Sequence, residues 1–304
     1  MNTSRIPAVA WGQLLLLGLI WGGSFLAIRV ALDEVSVLTS VAHRVGWAAL
    51  ILWGVAAVMR LPLPRDPRLW FAFLVMGLLN NIIPFGLMAW GQLHIETGLT
   101  SILNATTAFF GVLVAALVFA DERLTLARLG GVLIGMAGVS TVIGFEALAA
   151  FDITSLAQLA VLGGTVSYAF AGAWARLRLT RLHPVIAAAG MLTASSVIAL
   201  PAAWIVEGPI SLDLRSETWL AIVYYAGAAT AGAYLLYYRV LALAGAGNLM
   251  LVTLIIPPIA ITLGAFVRQE ALAPSDFAGF ALIALGLIVL DGRLVQRFRR
   301  QVGF

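Results

Sequence analysis

Ten apolar runs of helix length, separated by breaks too short to hold a folded domain, leave this chain little choice of fold. They fall at 11–31, 38–59, 69–94, 99–120, 126–145, 155–177, 184–206, 217–243, 247–267 and 274–294. About 20 apolar residues in helix cross the hydrocarbon of a bilayer. In hydrocarbon every backbone N–H and C=O must find a partner, which an isolated helix supplies from within. The breaks gather the charges and helix breakers: Asp33-Glu34, 60–68 with three prolines, 121–125, 151–154, 176–183, 207–214, 245–247 and 268–273. With 62% hydrophobic and only 11% charged residues, the chain lacks the charge to cover a soluble protein of its size. The spacing predicts an all-α polytopic membrane protein. The first run is followed directly by others and shows no small-residue cleavage site, so it reads as a span and not as a removed signal peptide. The absence of cysteine excludes disulfides and thiolate metal sites.

Arginine predicts the orientation. All 18 basic residues are arginine. With the N-terminus in the cytoplasm, 14 of them face that side, only Arg29, Arg215 and Arg268 face the other, and Arg44 lies within a span. The positive-inside rule then places both termini in the cytoplasm.

The chain also repeats itself. A constant shift of 148 positions carries 96–144 onto 244–292 without a gap, matching Glu122 to Glu270, Leu124 to Leu272, Gly131 to Gly279, Gly138 to Gly286 and Gly144 to Gly292. Several matches at one offset argue for a duplicated unit, which divides the chain into 1–150 and 151–304. Five spans per unit is an odd number, so the second unit enters the membrane upside down. Ten transmembrane helices as two inverted five-helix repeats around a central cavity are the expected architecture. Inverted repeats mark secondary transporters, whose halves exchange conformations to open to each side in turn. The plainer alternative is a rigid membrane scaffold built by duplication.

These residues resemble the drug/metabolite transporter superfamily, and within it the EamA-type exporters. The resemblance is carried by Leu19-Ile20-Trp21-Gly22-Gly23-Ser24 through Arg29, by Gly98 through Asp121-Glu122-Arg123-Leu124, and by Gly131 through Gly138. The second unit carries it in Gln269-Glu270-Ala271-Leu272, Gly279 through Gly286 and Tyr237-Tyr238-Arg239. It covers nearly the whole chain and is specific to the superfamily, not to a substrate; the aromatic amino acid exporters are the nearest branch. The resemblance implies export of amino acids or related small metabolites across the bacterial inner membrane. It also implies a central cavity lined by both halves, with the fifth and tenth spans peripheral. One departure stands out. Four-span multidrug relatives carry a membrane-embedded glutamate in the first span, whereas here all 14 acids lie in breaks or near span ends. A charge at the bilayer centre costs about 2.5–3.5 kcal/mol on insertion scales, so a chain keeps one there only for use. Its absence argues against coupling through a midplane carboxylate.

Candidate substrate-binding residues are the amphipathic groups near mid-span: Trp21, Asn81, Trp90, Tyr168, Tyr234 and Tyr238. Trp21 either stacks on a solute and donates one N–H bond, or packs where Gly18 and Gly22 form a small-residue contact. Amides as deep as Asn80 and Asn81 must be hydrogen-bonded or wet. Trp90 and His94 share a face, as an outer vestibule or an interfacial belt would require. Tyr168, whose hydroxyl needs a partner, is the approximate repeat mate of Trp21. Tyr224, Tyr234, Tyr237 and Tyr238 line the eighth span, either as a cavity wall or as core. Pro84 and the pair Pro257-Pro258 are expected to kink or break their helices and free carbonyls.

Arg44 either offers two parallel bonds to a substrate carboxylate or snorkels to the headgroups; snorkelling is the expectation. His43 is expected to pack, and Glu122 and Glu270 to act as caps or ion-pair partners. The glycines Gly131, Gly135, Gly279 and Gly286 serve either a dimer interface or internal packing. The expected partners are a small-molecule substrate and membrane lipids, with no nucleic acid, in a monomer or a homodimer. No cofactor or metal is expected. An intramembrane enzyme acting on a lipid-soluble substrate is the alternative class, but His43, His94 and His183 show no ligand spacing with carboxylates.

Overall fold

Regular structure in this protein is helical throughout the residues that the computed structural model describes, which are 8–120, 126–143, 153–179, 181–237, 239–240, 243 and 252–291. The helices are α1 (Ala8–Ala31), α2 (Val37–Val58), α3 (Pro67–Gly77), α4 (Ile83–Gly91), α5 (Thr97–Asn104), α6 (Thr107–Val118), α7 (Leu126–Ile143), α8 (Ile153–Arg178), α9 (Pro184–Glu207), α10 (Ser216–Ile222), α11 (Val252–Arg268) and α12 (Pro274–Asp291). Local sequence sets their ends. Asp66 and His183 each accept a bond from the backbone N–H two residues on, with proline in the first turn of α3 and α9. Gly208, at φ +94°, ends α9 in a conformation open chiefly to glycine. Seven spans are long and apolar enough to cross a membrane: Ala8–Ala31, Val37–Val58, Pro67–Gly91, Thr97–Val118, Thr154–Arg178, Pro184–Glu207 and Ser216–Tyr237. Over the described parts of the other three predicted spans the chain is helical with shorter apolar stretches, Leu129–Gly138, Ile255–Arg268 and Pro274–Gly286.

Three departures from uniform helix matter. A π-helical stretch, Leu78–Ile82, joins α3 to α4 directly before Pro84. There Ile83 N–H bonds back to Leu78 O, five residues away, a register that accommodates the N–H that Pro84 lacks. A longer π stretch, Val223–Gly232, follows α10 through the small-residue sequence AGAATAG, and Ala233 N–H reaches Ala228 O in the same register. The run predicted as one fourth span is two helices, with a turn at Ala105-Thr106 between α5 and α6. Pro257 and Pro258, expected to kink or break their helix, do not break it. Both lie inside one continuous helix, α11. Thr262 Oγ1 donates to Pro258 O at 2.7 Å.

Packing follows the repeat. α2 lies against α9, and α7 against α12; α1 packs on α11 as α8 packs on α5 and α6. The second π stretch packs on α1 and α2, and the α3–α4 segment on α8 and α9. A shift of 148 positions carries the α2–α9 and α7–α12 pairings onto themselves and exchanges the others in pairs. Trp53 Nε1 pins α2 to α9 through Thr193 Oγ1 at 2.7 Å. Between α7 and α12 the approach is closer than any side chain allows. A Cβ on Gly138 would stand 2.7 Å from Gly279 O, and one on Gly286 would stand 2.6 Å from Gly131 O. These glycines therefore serve internal packing.

Candidate functional site

Each of the two π stretches packs against helices of the opposite half of the chain, and the candidate site is built from those contacts. In the first, Asn81 is fully buried; its Nδ2 donates to Ser195 Oγ on α9 at 2.8 Å, and its Oδ1 accepts from Tyr234 OH at 3.2 Å. Asn80 Nδ2 donates to that same Tyr234 oxygen at 2.7 Å. Ser167 on α8 donates to Leu79 O, a carbonyl of the π turn, at 2.7 Å. The second stretch is met the same way from the first half. Trp21 Nε1 on α1 donates to Ala229 O at 3.1 Å, and Arg44 Nε on α2 donates to Thr230 Oγ1 at 2.9 Å. Thr230 in turn donates to Tyr225 O, five residues back, at 2.7 Å. Each π stretch is thus held by side chains from the first and second helices of the other half. Irregular backbone at this depth survives only where such partners or a wet cavity satisfy it.

Arg44 does not snorkel to the headgroups. Its guanidinium lies over the Phe85 ring, with Cζ 3.8 Å from the ring centroid. The side chain turns into the bundle because Thr230 supplies an acceptor and Phe85 a π face there. Sequence cannot distinguish this from an outward rotamer, since the partners lie 41 and 186 residues away.

The structure brings Asn81 and Tyr234 into direct contact, and the other described candidates lie in the packing clusters that follow. Trp21 packs with the α1–α11 cluster, its ring 6.2 Å from that of Tyr237. Its single N–H is already taken by Ala229 O, so stacking is what remains for a solute. Tyr168 is half-buried and packs against two clusters, one of α2, α3 and α9, the other of α5, α6 and α8. Trp90 packs against the second of these and meets His94 edge-on at 5.0 Å. Pro84 sits buried in the first turn of α4, with its Cα 3.4 Å from the Cβ position of Gly164 on α8. Pro257 is buried and Pro258 exposed on α11, alongside Gly22. Tyr238 and Glu122 lie outside the described residues. His43 packs, accepting from Trp47 Nε1 at 3.2 Å and lying edge-on to Trp219.

At the end of the bundle that carries the α1–α2 turn, carboxylates bind the halves together. Glu207, the last residue of α9, accepts from Leu38 N, Thr39 N and Thr39 Oγ1 at 2.8–2.9 Å and from Ser36 Oγ, capping α2. Glu34 caps α10 by accepting from Arg215 N and Thr218 Oγ1. Asp33 takes two bonds from Arg268 at 2.5 and 3.1 Å, with Arg29 at 3.8 Å. The hydrogen bond from Arg268 holds the Asp33 carboxyl below its ordinary range, and the Thr218 hydroxyl does the same for Glu34. Glu270 accepts from Gly98 N at 3.4 Å, in the structural role expected of it. Beside these lies a pocket of about 260 Å³ lined by Arg29, Gln92, His94, Glu96, Arg268 and Glu270 among others. Gln92 Nε2 donates to the α1 carbonyl of Phe25 at 2.9 Å. Glu207, Gln92 and Thr230 escaped the sequence reading, because each works through a partner distant along the chain.

The EamA-like transporter family matches residues 9–144 and again 155–290. The chain belongs to that family. With seven long apolar helices among the described residues, this EamA-like protein is a multi-pass membrane protein, and its family is one of transporters. It is similar to the protein PagO of Salmonella typhimurium, 24% identical over 277 residues that cover 90% of each chain. It is similar to a probable terminal-alkyne amino-acid exporter of Streptantibioticus cattleyicolor, 25% identical over 295 residues and 97% of each chain. An uncharacterized transporter of Bacillus subtilis, YoaV, is 21% identical over 89% of this chain and 92% of its own. A solved crystal structure shares the fold at a TM-score of 0.67 and 18% identity, covering 93% of this chain and 97% of the other.

Proposed function

We propose that this EamA-like protein is a secondary transporter that exports amino acids or related small amphipathic metabolites across the bacterial inner membrane. In this reading ten spans form two inverted five-helix halves, 1–150 and 151–304, that open alternately to each side. Both termini are cytoplasmic. The observation that carries it is the reciprocal grip on the two π stretches: Trp21 and Arg44 on Ala229 and Thr230, Ser167 and Ser195 on Leu79 and Asn81. Repeat-related backbone irregularities at the junction of the halves are where transporters place their solute, and π turns recur at functional sites. The similarity to the probable terminal-alkyne amino-acid exporter of Streptantibioticus cattleyicolor supports the substrate class.

The solute site lies between the halves, walled by Trp21, Asn81, Trp90, Tyr168, Tyr234 and Tyr238. Aromatic faces take its apolar part and a few polar groups orient it. Under the orientation set by arginine, the carboxylate-bound end carrying Asp33, Glu34 and Glu207 is the external one, and it must part for release. Pro84, Pro257 and Pro258 mark helices whose stripped carbonyls ease that movement.

The test is transport by the purified chain in vesicles loaded with amino acids, aromatic ones first, with and without a proton gradient. Net efflux of at least one amino acid that is absent from protein-free vesicles is the expected result. No flux of any amino acid under either condition would overturn the reading.

A further inference from the structure

Arg44 is a cation that the surrounding fold orients but does not neutralise. Its residue number places it seven positions into α2, about 10 Å below the end of the helix. A charge within a membrane span is costly and is retained only where it has a use, a partner or water. Arg44 forms no ion pair among the described residues; the ion pairs there belong to Arg29, Arg215 and Arg268. What holds Arg44 is neutral: Thr230 Oγ1 on Nε and the Phe85 face beneath the guanidinium.

A guanidinium has five N–H donors in a rigid fork. The Nε–H is engaged by Thr230, and stacking on Phe85 uses the face of the group, not its edge. The two terminal nitrogens, with four N–H groups, have no protein acceptor among the described residues. A residue serving only to tie α2 to the second π stretch needs no charge, since a neutral amide makes the same bond to Thr230. The group is also fixed inside the bundle, between Thr230 Oγ1 and the Phe85 ring, and not extended along the outside of α2. A fixed, uncompensated, forked donor at this depth matches an oxyanion taken through two parallel charge-assisted bonds, a carboxylate or a phosphate, and of these the amino-acid reading supplies the carboxylate. Phe85 lies against it, Tyr168 and Tyr234 pack on the cluster that contains Phe85, and Tyr225 O accepts from the same Thr230 hydroxyl. They offer an apolar body its contact and leave the fork as the sole positive charge among them.

We infer that Arg44 is the carboxylate anchor of the transport site, so that the solute is recognised through an ionised carboxylate set against Phe85, with Thr230 fixing the guanidinium's rotation. This rests on the transport reading above and deepens it. Trp21, Asn81 and the tyrosines then discriminate among the bodies attached to that carboxylate, and Arg44 discriminates acids from their neutral derivatives.

The experiment pairs the twenty common L-amino acids with their carboxamides. Binding to the full chain in detergent is read by shift in melting temperature, and flux by counterflow in vesicles. At least one acid is expected to bind at least tenfold more tightly than its amide. Arg44→Gln is expected to abolish that preference, and Arg44→Lys to restore part of it, since a point charge lacks the fork. Thr230→Val keeps the charge but frees its rotation, and is expected to weaken the acid alone; it keeps the test decisive should Arg44→Gln fail to fold. Equal binding of acid and amide, a preference that survives in Arg44→Gln or Thr230→Val, or no acid bound at all would overturn the inference. The two readings fail separately. Export without acid preference removes the anchor and leaves the transporter, whereas Arg44-dependent binding without counterflow removes the transporter and leaves the anchor.

Discussion

At the scale of single residues, accessibility separates side chains that hold the bundle from those that can meet a solute. Asn81 is fully buried and bonded at both ends of its amide, to Ser195 and Tyr234. Asn81→Leu removes both bonds from a buried site and should destabilise the protein by about 1–3 kcal/mol, measured by unfolding in detergent. Tyr234 is only half-buried, although it shares the same network. If it walls the cavity, Tyr234→Ala cuts flux while melting stays near that of the parent chain; Trp21→Ala is read the same way. Loss of about 3–5 kcal/mol, the usual result of truncating a large core side chain, together with flux, would return either ring to the core. Sequence pointed to Asn81, Tyr234 and Trp21 because polar and amphipathic groups in apolar helices need partners. It did not show that Trp21 Nε1 is taken by Ala229 O, nor which way Arg44 turns. Rotamers are decided by partners from other helices, and one sequence carries no record of those.

At the scale of elements, what hydropathy can encode was legible and what hydrogen-bond register encodes was not. Each described predicted span is helical, because a run of apolar residues bounded by charge and proline has no other way to satisfy its backbone. The π stretches at Leu78–Ile82 and Val223–Gly232 and the turn at Ala105-Thr106 leave no such mark. A shift from four to five residues in the bonding register changes no residue's polarity. Pro84 hinted at one irregularity; the prolines inside α11 were expected to kink or break it, and the helix runs through them unbroken. The glycine matches at the repeat offset were visible, yet only the structure shows that Gly138 and Gly286 let α7 and α12 touch backbone to backbone. Gly286→Ala places a methyl 2.6 Å from Gly131 O and 2.7 Å from Gly135 N, atoms of a packed helix that cannot step aside alone. A loss of about 1–3 kcal/mol is expected. Gly46→Ala in α2 meets nothing within 4 Å and should instead stabilise by about 0.4–1 kcal/mol, by restricting the unfolded chain. Opposite shifts in melting temperature for the two changes are the check.

At the scale of the whole molecule, one end is fastened by charge, and this makes its opening measurable. Asp33 on the α1–α2 turn takes Arg268 of α11, while Glu34 and Glu207 cap α10 and α2 from the opposite half. Capping bonds to backbone N–H groups persist through a rigid-body movement only if the capped helix travels with its cap. The Asp33–Arg268 pair instead joins side chains and can part without disturbing a helix. It is therefore the contact expected to set how readily α1 and α11 separate at this end. Because the chain has no cysteine, Ser40→Cys gives a single thiol, at a position buried beside Tyr225 just below that end. Labelling of this thiol by an impermeant reagent at neutral pH should be slow, and several-fold faster when Asp33→Asn removes the charge. Equal rates would show that the pair does not restrain opening. The pH dependence has a definite sign. Arg268 holds the folded Asp33 carboxyl below its unfolded value, so the pair's contribution is fully present above the ordinary carboxylate range. It is lost progressively as pH falls from that range through the depressed folded value. The melting temperature should thus fall less on acidification in Asp33→Asn than in the parent chain, with the difference confined to that acid window. The effect should be modest, because the pair is about one-third exposed on each side and solvent screens it. A difference between the two chains that instead widened above neutral pH would contradict this assignment of Asp33.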